Sequence, residues 1–132
     1  MIIGVGLDLS AISFWEGALA DPTTSVIEGT FTARERAVAE SGPVPVSHRL
    51  AARFAAKEAF TKALSGGRFG EAPVAKPFAP QEVEVLRDEY GRPRLELHGE
   101  AALAAKNLGV RHIWVSLTHE GDNAGAMVVL EG

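Results

Sequence analysis

The sequence predicts a single α+β domain in which a mostly antiparallel sheet packs against one long central helix. Three observations predict it. Ser47 to Ser65 contains no Gly or Pro and is rich in Ala, Leu and straight-chain charged residues, which is the composition of a long helix. Its apolar residues Leu50, Phe54, Ala55, Ala59, Phe60, Ala63 and Leu64 cover most of its circumference, as on a helix buried on several sides. The element order is strand, three helices, two strands, helix, two strands, without the regular alternation of a doubly wound fold. With 132 residues and 46% hydrophobic composition, residues 1–132 make one core and leave no room for a separate catalytic domain.

Ile2 to Leu9 alternates, with Ile3, Val5 and Leu7 on one face and Ile2, Gly4, Gly6 and Asp8 on the other, so it reads as a strand. Gly6, two residues before Asp8, marks close approach of another backbone or of a ligand. Ser10 to Ala20 reads as a short helix stopped by Asp21-Pro22, with Trp15 as a packing residue. Thr32-Ala33-Arg34-Glu35 has the form of a capping box and opens a helix to about Ser41. Gly42-Pro43-Val44-Pro45 breaks the chain before the central helix. For that helix Ser47 is the expected N-cap, Gly66-Gly67 the stop, and His48 a solvated residue at its start.

Gly66 to Pro80 is rich in Gly, Pro and Ala, and a loop of this length suits a binding loop or lid. Glu82 to Arg87 and Arg94 to His98 are strands joined by the turn-forming stretch Asp88 to Pro93. Gly99 to Leu108 is a helix. His112 to His119 and Ala124 to Leu130 are two further strands around Glu120-Gly121-Asp122-Asn123. The small residues Ala124, Gly125 and Ala126 imply that another element packs closely there.

The net charge of -4 argues against general nucleic-acid binding, which depends on neutralising phosphates. Basic residues gather at Arg49, Arg53, Lys57 and Lys62 and at Arg92 and Arg94, a scale suited to a small polyphosphate. No run has the length of a membrane span, and there is no secretory leader pattern. The absence of Cys fits the cytoplasm and excludes thiol nucleophiles and Cys-based zinc sites. Neither a Gly-x-Gly-x-x-Gly motif nor a P-loop occurs.

The charges on the central helix need partners, because an unpaired ion is costly to bury. Arg49, Arg53 and Lys57 follow one i, i+4 row, and Glu58 and Lys62 another. Glu58 and Lys62 form either a surface ion pair, or a hard oxygen ligand for a divalent cation with a lysine one turn on to receive the bridged phosphate. The second of these requires another carboxylate from elsewhere in the chain.

Ile3-Gly4-Val5-Gly6-Leu7-Asp8, Arg53-Phe54-Ala55-Ala56-Lys57-Glu58-Ala59 with Lys62, and Val115-Ser116-Leu117-Thr118-His119 resemble, in this order and at this length, the phosphopantetheinyl transferases. Within them they resemble the short holo-acyl-carrier-protein synthase type. The resemblance covers essentially the whole chain. It implies Mg²⁺-dependent transfer of the phosphopantetheine arm of coenzyme A to a serine of an acyl carrier protein, or of a carrier domain of a fatty-acid or polyketide synthase, in support of fatty acid biosynthesis. Adenosine 3',5'-bisphosphate would leave. Asp8 and Glu58 would hold the metal, Glu58 would accept the serine proton directly or through a water, and Lys62 would offset charge on the leaving side. Thr118 and His119 would contact coenzyme A phosphate, Arg53 its ribose phosphate, and Arg92 and Pro93 would lie near its adenosine end. A homotrimer is implied, with Arg92 reaching a neighbouring subunit's site and Ala124 to Ala126 packing at the axis.

Two departures stand against the resemblance. Ser13 to Leu19 has none of the basic residues that relatives often use to dock acidic carriers, and the Gly66 to Pro80 loop is longer than in many relatives. The competing readings are a non-catalytic coenzyme A-binding module and a structural trimer whose charged rows are interface ion pairs.

Overall fold

The computed structural model describes residues 1–73 and 77–132. Its elements are β1 (Ile2–Ala11), α1 (Ile12–Ala20), α2 (Val26–Thr30), α3 (Ala33–Ala39), α4 (Val46–Gly66), a 3₁₀ turn (Pro80–Glu82), β2 (Val83–Arg87), β3 (Pro93–Leu97), α5 (Gly99–Asn107), β4 (His112–Glu120) and β5 (Asn123–Glu131). An antiparallel sheet in the order β1-β5-β4 packs on α4, and β2 and β3 form a separate antiparallel hairpin. The α+β expectation holds. The Gly66 to Pro80 loop expectation lies partly outside the described residues, at 74–76.

The contact between β1 and α4 depends on glycine. A Cβ at Gly6 would stand 1.8 Å from the Ala59 carbonyl oxygen, and one at Gly4 2.0 Å from that of Ala63. Either would be a collision with backbone, so the space marked by Gly6 is filled by the helix itself. Two residues along β1 match four residues back along α4, so the two run in opposite directions. One more such step sets Asp8 level with the turn 55–59, which carries Glu58.

Two apolar clusters flank this contact. Phe60, Leu64, Val83, Val128 and Leu130 are buried on one side. Trp15, Phe31, Leu50 and Ala51 are buried on the other. A fully buried Phe or Leu contributes roughly 1.5–3 kcal/mol, so these clusters hold the layers together. Trp15 is a packing residue as expected, set against Phe31 and Phe54, and its indole N–H donates to Ser10 Oγ at 3.0 Å.

The local structure departs from the sequence reading at four points. Ser10 and Ala11 remain in β1, paired with Ala124 and Asn123, and α1 starts at Ile12. Asp122, from the β4–β5 turn, caps it by accepting from Ser13 N–H at 3.0 Å. The short α2 was not anticipated. Pro45 rather than Ser47 stands at the N-cap of α4, and Ser47 Oγ instead meets His48 Nδ1 at 3.3 Å. Ala124 and Ala126 are buried inside the chain in the two clusters, so they do not pack at a subunit axis. Among these residues only Gly125 lies on the sheet's other face, between Leu9 and Thr118.

That other face is apolar and uncovered. Val5, Leu7, Leu9, Trp114 and Met127 are between 46% and 66% exposed on it. No helix of the described residues is long and apolar enough to cross a membrane.

Candidate active site

Asp8 and Lys62 meet at the β1–α4 contact, and Glu58 stands one helical turn before Lys62 on α4. Lys62 Nζ lies 2.9 Å from Asp8 Oδ1 and donates also to the Leu7 carbonyl at 3.1 Å. The surface pair between Glu58 and Lys62, one of the two readings of that row, does not form among the described residues; Lys62 turns to Asp8. Glu58 is half-buried and has no hydrogen-bond or ion-pair partner among the described residues. A half-buried carboxylate without a donor is an open ligand position.

Glu58 faces a cavity of about 420 Å³ that runs along α4, with Thr61, Leu64 and Ser65 on the helix side and Phe78, Pro80 and Val83 opposite. From Glu58 to Ser65 the helix rises roughly 10 Å, at about 1.5 Å per residue. The cavity is therefore a mainly apolar trough that also carries the hydroxyls of Thr61 and Ser65 and the charged side chains of Glu58, Arg68 and Glu71. Lys57, one residue earlier, reaches the inner wall of the same cavity and is buried against Glu35, contrary to its expected place in an anion-binding row.

Thr118 and His119, at the end of β4, line a second pocket of about 140 Å³ with His48, Arg49, Ala52 and Arg87. His48 is half-buried with its ring edge-on to His119 at 5.5 Å, not solvated as expected. Arg53 is corrected in one respect. It is fully buried behind this pocket, bonded to the Arg49 carbonyl at 3.2 Å, with Nε and Nη2 unpartnered, and it does not line the wall. Burial, and next the nearby Arg87, push its pKa down to about 10. Burial and Arg49 likewise lower that of Arg87. Cations that depress one another make the pocket favourable for an anion.

His48 and Arg87 were not singled out for binding by the sequence reading, which placed Arg49 only in a basic row suited to a small polyphosphate. Arg49 shares a helix row with Arg53, which was a signal. Arg87 closes a strand and carried none. Arg92 and Pro93 line a third, larger concavity of about 760 Å³ with Arg34, Arg87, Arg94 and Arg111, and neither Asp8 nor Glu58 lines it. Arg92 is paired with Asp88 at 2.6 Å. Glu84, Glu96 and His98 also cluster closely enough to hold a metal. Glu84, however, is already occupied by Arg34 at 2.5 Å and Thr32 Oγ1 at 2.6 Å, and the Arg34 hydrogen bond chiefly pulls its pKa down to about 2.

Comparison with known proteins gives a consistent result. Residues 4–127 match the model of the 4'-phosphopantetheinyl transferase superfamily. The holo-[acyl-carrier-protein] synthase of Mycobacterium ulcerans is 45% identical over 130 residues, 98% of this chain and 97% of that protein. The acyl carrier protein synthase structure from Mycobacterium tuberculosis is 42% identical, with a TM-score of 0.75 over 99% of this chain and 98% of that one. An ACPS–CoA complex from Chronobacterium ammoniagenes is 37% identical, with a TM-score of 0.83 over 96% of this chain and 95% of that one.

Proposed function

Because the chain belongs to the 4'-phosphopantetheinyl transferase superfamily and is an enzyme of it, we propose that it transfers the phosphopantetheine arm of coenzyme A to a serine hydroxyl of an apo acyl carrier protein. The serine oxygen bonds to phosphorus, the pyrophosphate bond breaks, and adenosine 3',5'-bisphosphate leaves. The observation that carries this reading is the unpartnered Glu58 carboxylate, which stands one helical turn before the Lys62 that pairs with Asp8 and lines a mainly apolar cavity beside α4.

Asp8 and Glu58 supply hard oxygen donors, which fit Mg²⁺. When bound there, the ion would neutralise charge on the pyrophosphate. The remaining roles belong to the chain. Glu58, with no competing donor, accepts the serine proton. Lys62 has three ammonium hydrogens and uses two, so it can donate to the leaving phosphate without releasing Asp8. Thr61 and Ser65 offer hydroxyls to the amides of the arm, and Leu64, Phe78 and Val83 exclude water from it. Thr118, His119, His48, Arg49 and Arg87 receive the ribose phosphate, with Arg53 contributing charge from behind.

The uncovered sheet face supports a homotrimer, which would bring Arg92 and Pro93 of one subunit to the adenosine end held by its neighbour. The absence of Cys and a thiol substrate both suit the reducing cytoplasm, and the carrier class suits fatty acid biosynthesis.

Incubation with coenzyme A, Mg²⁺ and an apo carrier protein, followed by intact mass measurement, tests the proposal. The carrier should gain the mass of one phosphopantetheine, and chelation should abolish the gain until Mg²⁺ is restored. No gain across several carriers, fatty-acid synthase domains included, would leave a passive coenzyme A binder.

A further inference from the structure

One buried ion pair takes no part in the chemistry above. Lys57 Nζ and Glu35 Oε1 meet at 2.8 Å with side chains 2% and 0% exposed. Such a pair adds little stability over an apolar pair of the same size, so its persistence calls for another reason. Its bonding supplies one. The Lys57 ammonium also donates to the carbonyls of Pro80 at 2.9 Å and Val83 at 2.6 Å, so all three hydrogens are engaged. Glu35 in turn accepts from the backbone N–H of Val85 at 3.0 Å and of Thr32 at 3.1 Å.

The two anchored carbonyls belong to the wall of the cavity facing Glu58, which Lys57, Pro80 and Val83 all line. Lys57 is also the residue next to Glu58, so the same bonds fix the rotation of the α4 turn that carries the open carboxylate. We infer that Glu35 is a positioning residue for coenzyme A. By holding Lys57 against Pro80 and Val83, it sets the width of the trough that receives the pantetheine arm. This rests on reading the cavity as the site of the arm.

The test compares coenzyme A with adenosine 3',5'-bisphosphate, which has no arm, by calorimetry in Mg²⁺ on the full chain. In Glu35→Gln, coenzyme A affinity should fall about tenfold or more while bisphosphate affinity stays within about twofold, since only the former needs the trough. The KM for coenzyme A should rise more than kcat falls. The double variant Glu35→Met with Lys57→Met removes the stranded charge, so its thermal midpoint should recover above that of Glu35→Gln while coenzyme A affinity stays low.

Unchanged coenzyme A affinity, an equal loss for both ligands, or recovery of affinity together with the midpoint would overturn the inference. If Glu35→Gln does not fold, the ratio of the two affinities in the double variant decides alone. A wild type that transfers nothing would count against the proposed function, whereas an active wild type with an indifferent Glu35 would count against this inference only.

Discussion

Lys57 and Glu58 are neighbours in sequence and opposites in circumstance. Lys57 is enclosed, and every hydrogen it can donate has an acceptor on α3, β2 or the turn before it. Glu58 stands at a cavity mouth with no donor among the described residues. A saturated charge holds structure, and an unsaturated one waits for a ligand. One helical step of about 100° separates the two tasks.

The largest test of this contrast is Asp8→Ala. If Asp8 and the open carboxylate of Glu58 act together, transfer should drop about a hundredfold or more with the fold kept, as seen by intact mass and circular dichroism. Equal loss of fold and activity would erase the distinction. Next is Glu35→Ala, expected to cost about 3–5 kcal/mol in denaturant unfolding because it strands a buried ammonium. Gly6→Ala should cost about 1–3 kcal/mol through overpacking against Ala59, and should lower activity by more than the fraction unfolded, because it moves Asp8 away from α4.

Acid gives a subtler contrast. The folded-state pKa of Glu84 is depressed from 4.5 to about 2, so its contribution is complete above about pH 4.5, declines as pH falls, and is gone below about pH 2. Glu84→Gln should flatten the thermal midpoint across that window. The smallest effect concerns the carrier. The exposed part of α1 offers Phe14 and Leu19 and no basic residue, so KM for a carrier should change only about twofold between low salt and physiological salt. A steep salt dependence would shift docking to arginines elsewhere.

Much of this arrangement could be read from the chain. Alternation put Asp8 on the face of β1 that meets α4, where it pairs with Lys62, and helical spacing put Glu58 and Lys62 in one row. What periodicity cannot supply is the neighbour across the gap. It put Lys57 and Arg53 with the half-buried Arg49, whereas Glu35 draws Lys57 inward and Arg53 is fully buried. It likewise offered Lys62 to Glu58 and missed that Asp8 lies nearer. His48 and Arg87 meet Thr118 and His119 only through tertiary packing, and α2 is too short to leave a repeat. Ser47 lost its capping role to Pro45, whose fixed φ already suits the position before a helix.

The glycines of β1 have a dynamic consequence. With carbonyl oxygens of α4 seated where side chains would be, strand and helix cannot slide independently, and a tilt of one is expected to carry the other. Asp8 and Glu58 should then fluctuate in step, so thermal motion of the backbone leaves their mutual spacing nearly constant and any adjustment between them falls to side-chain rotation alone.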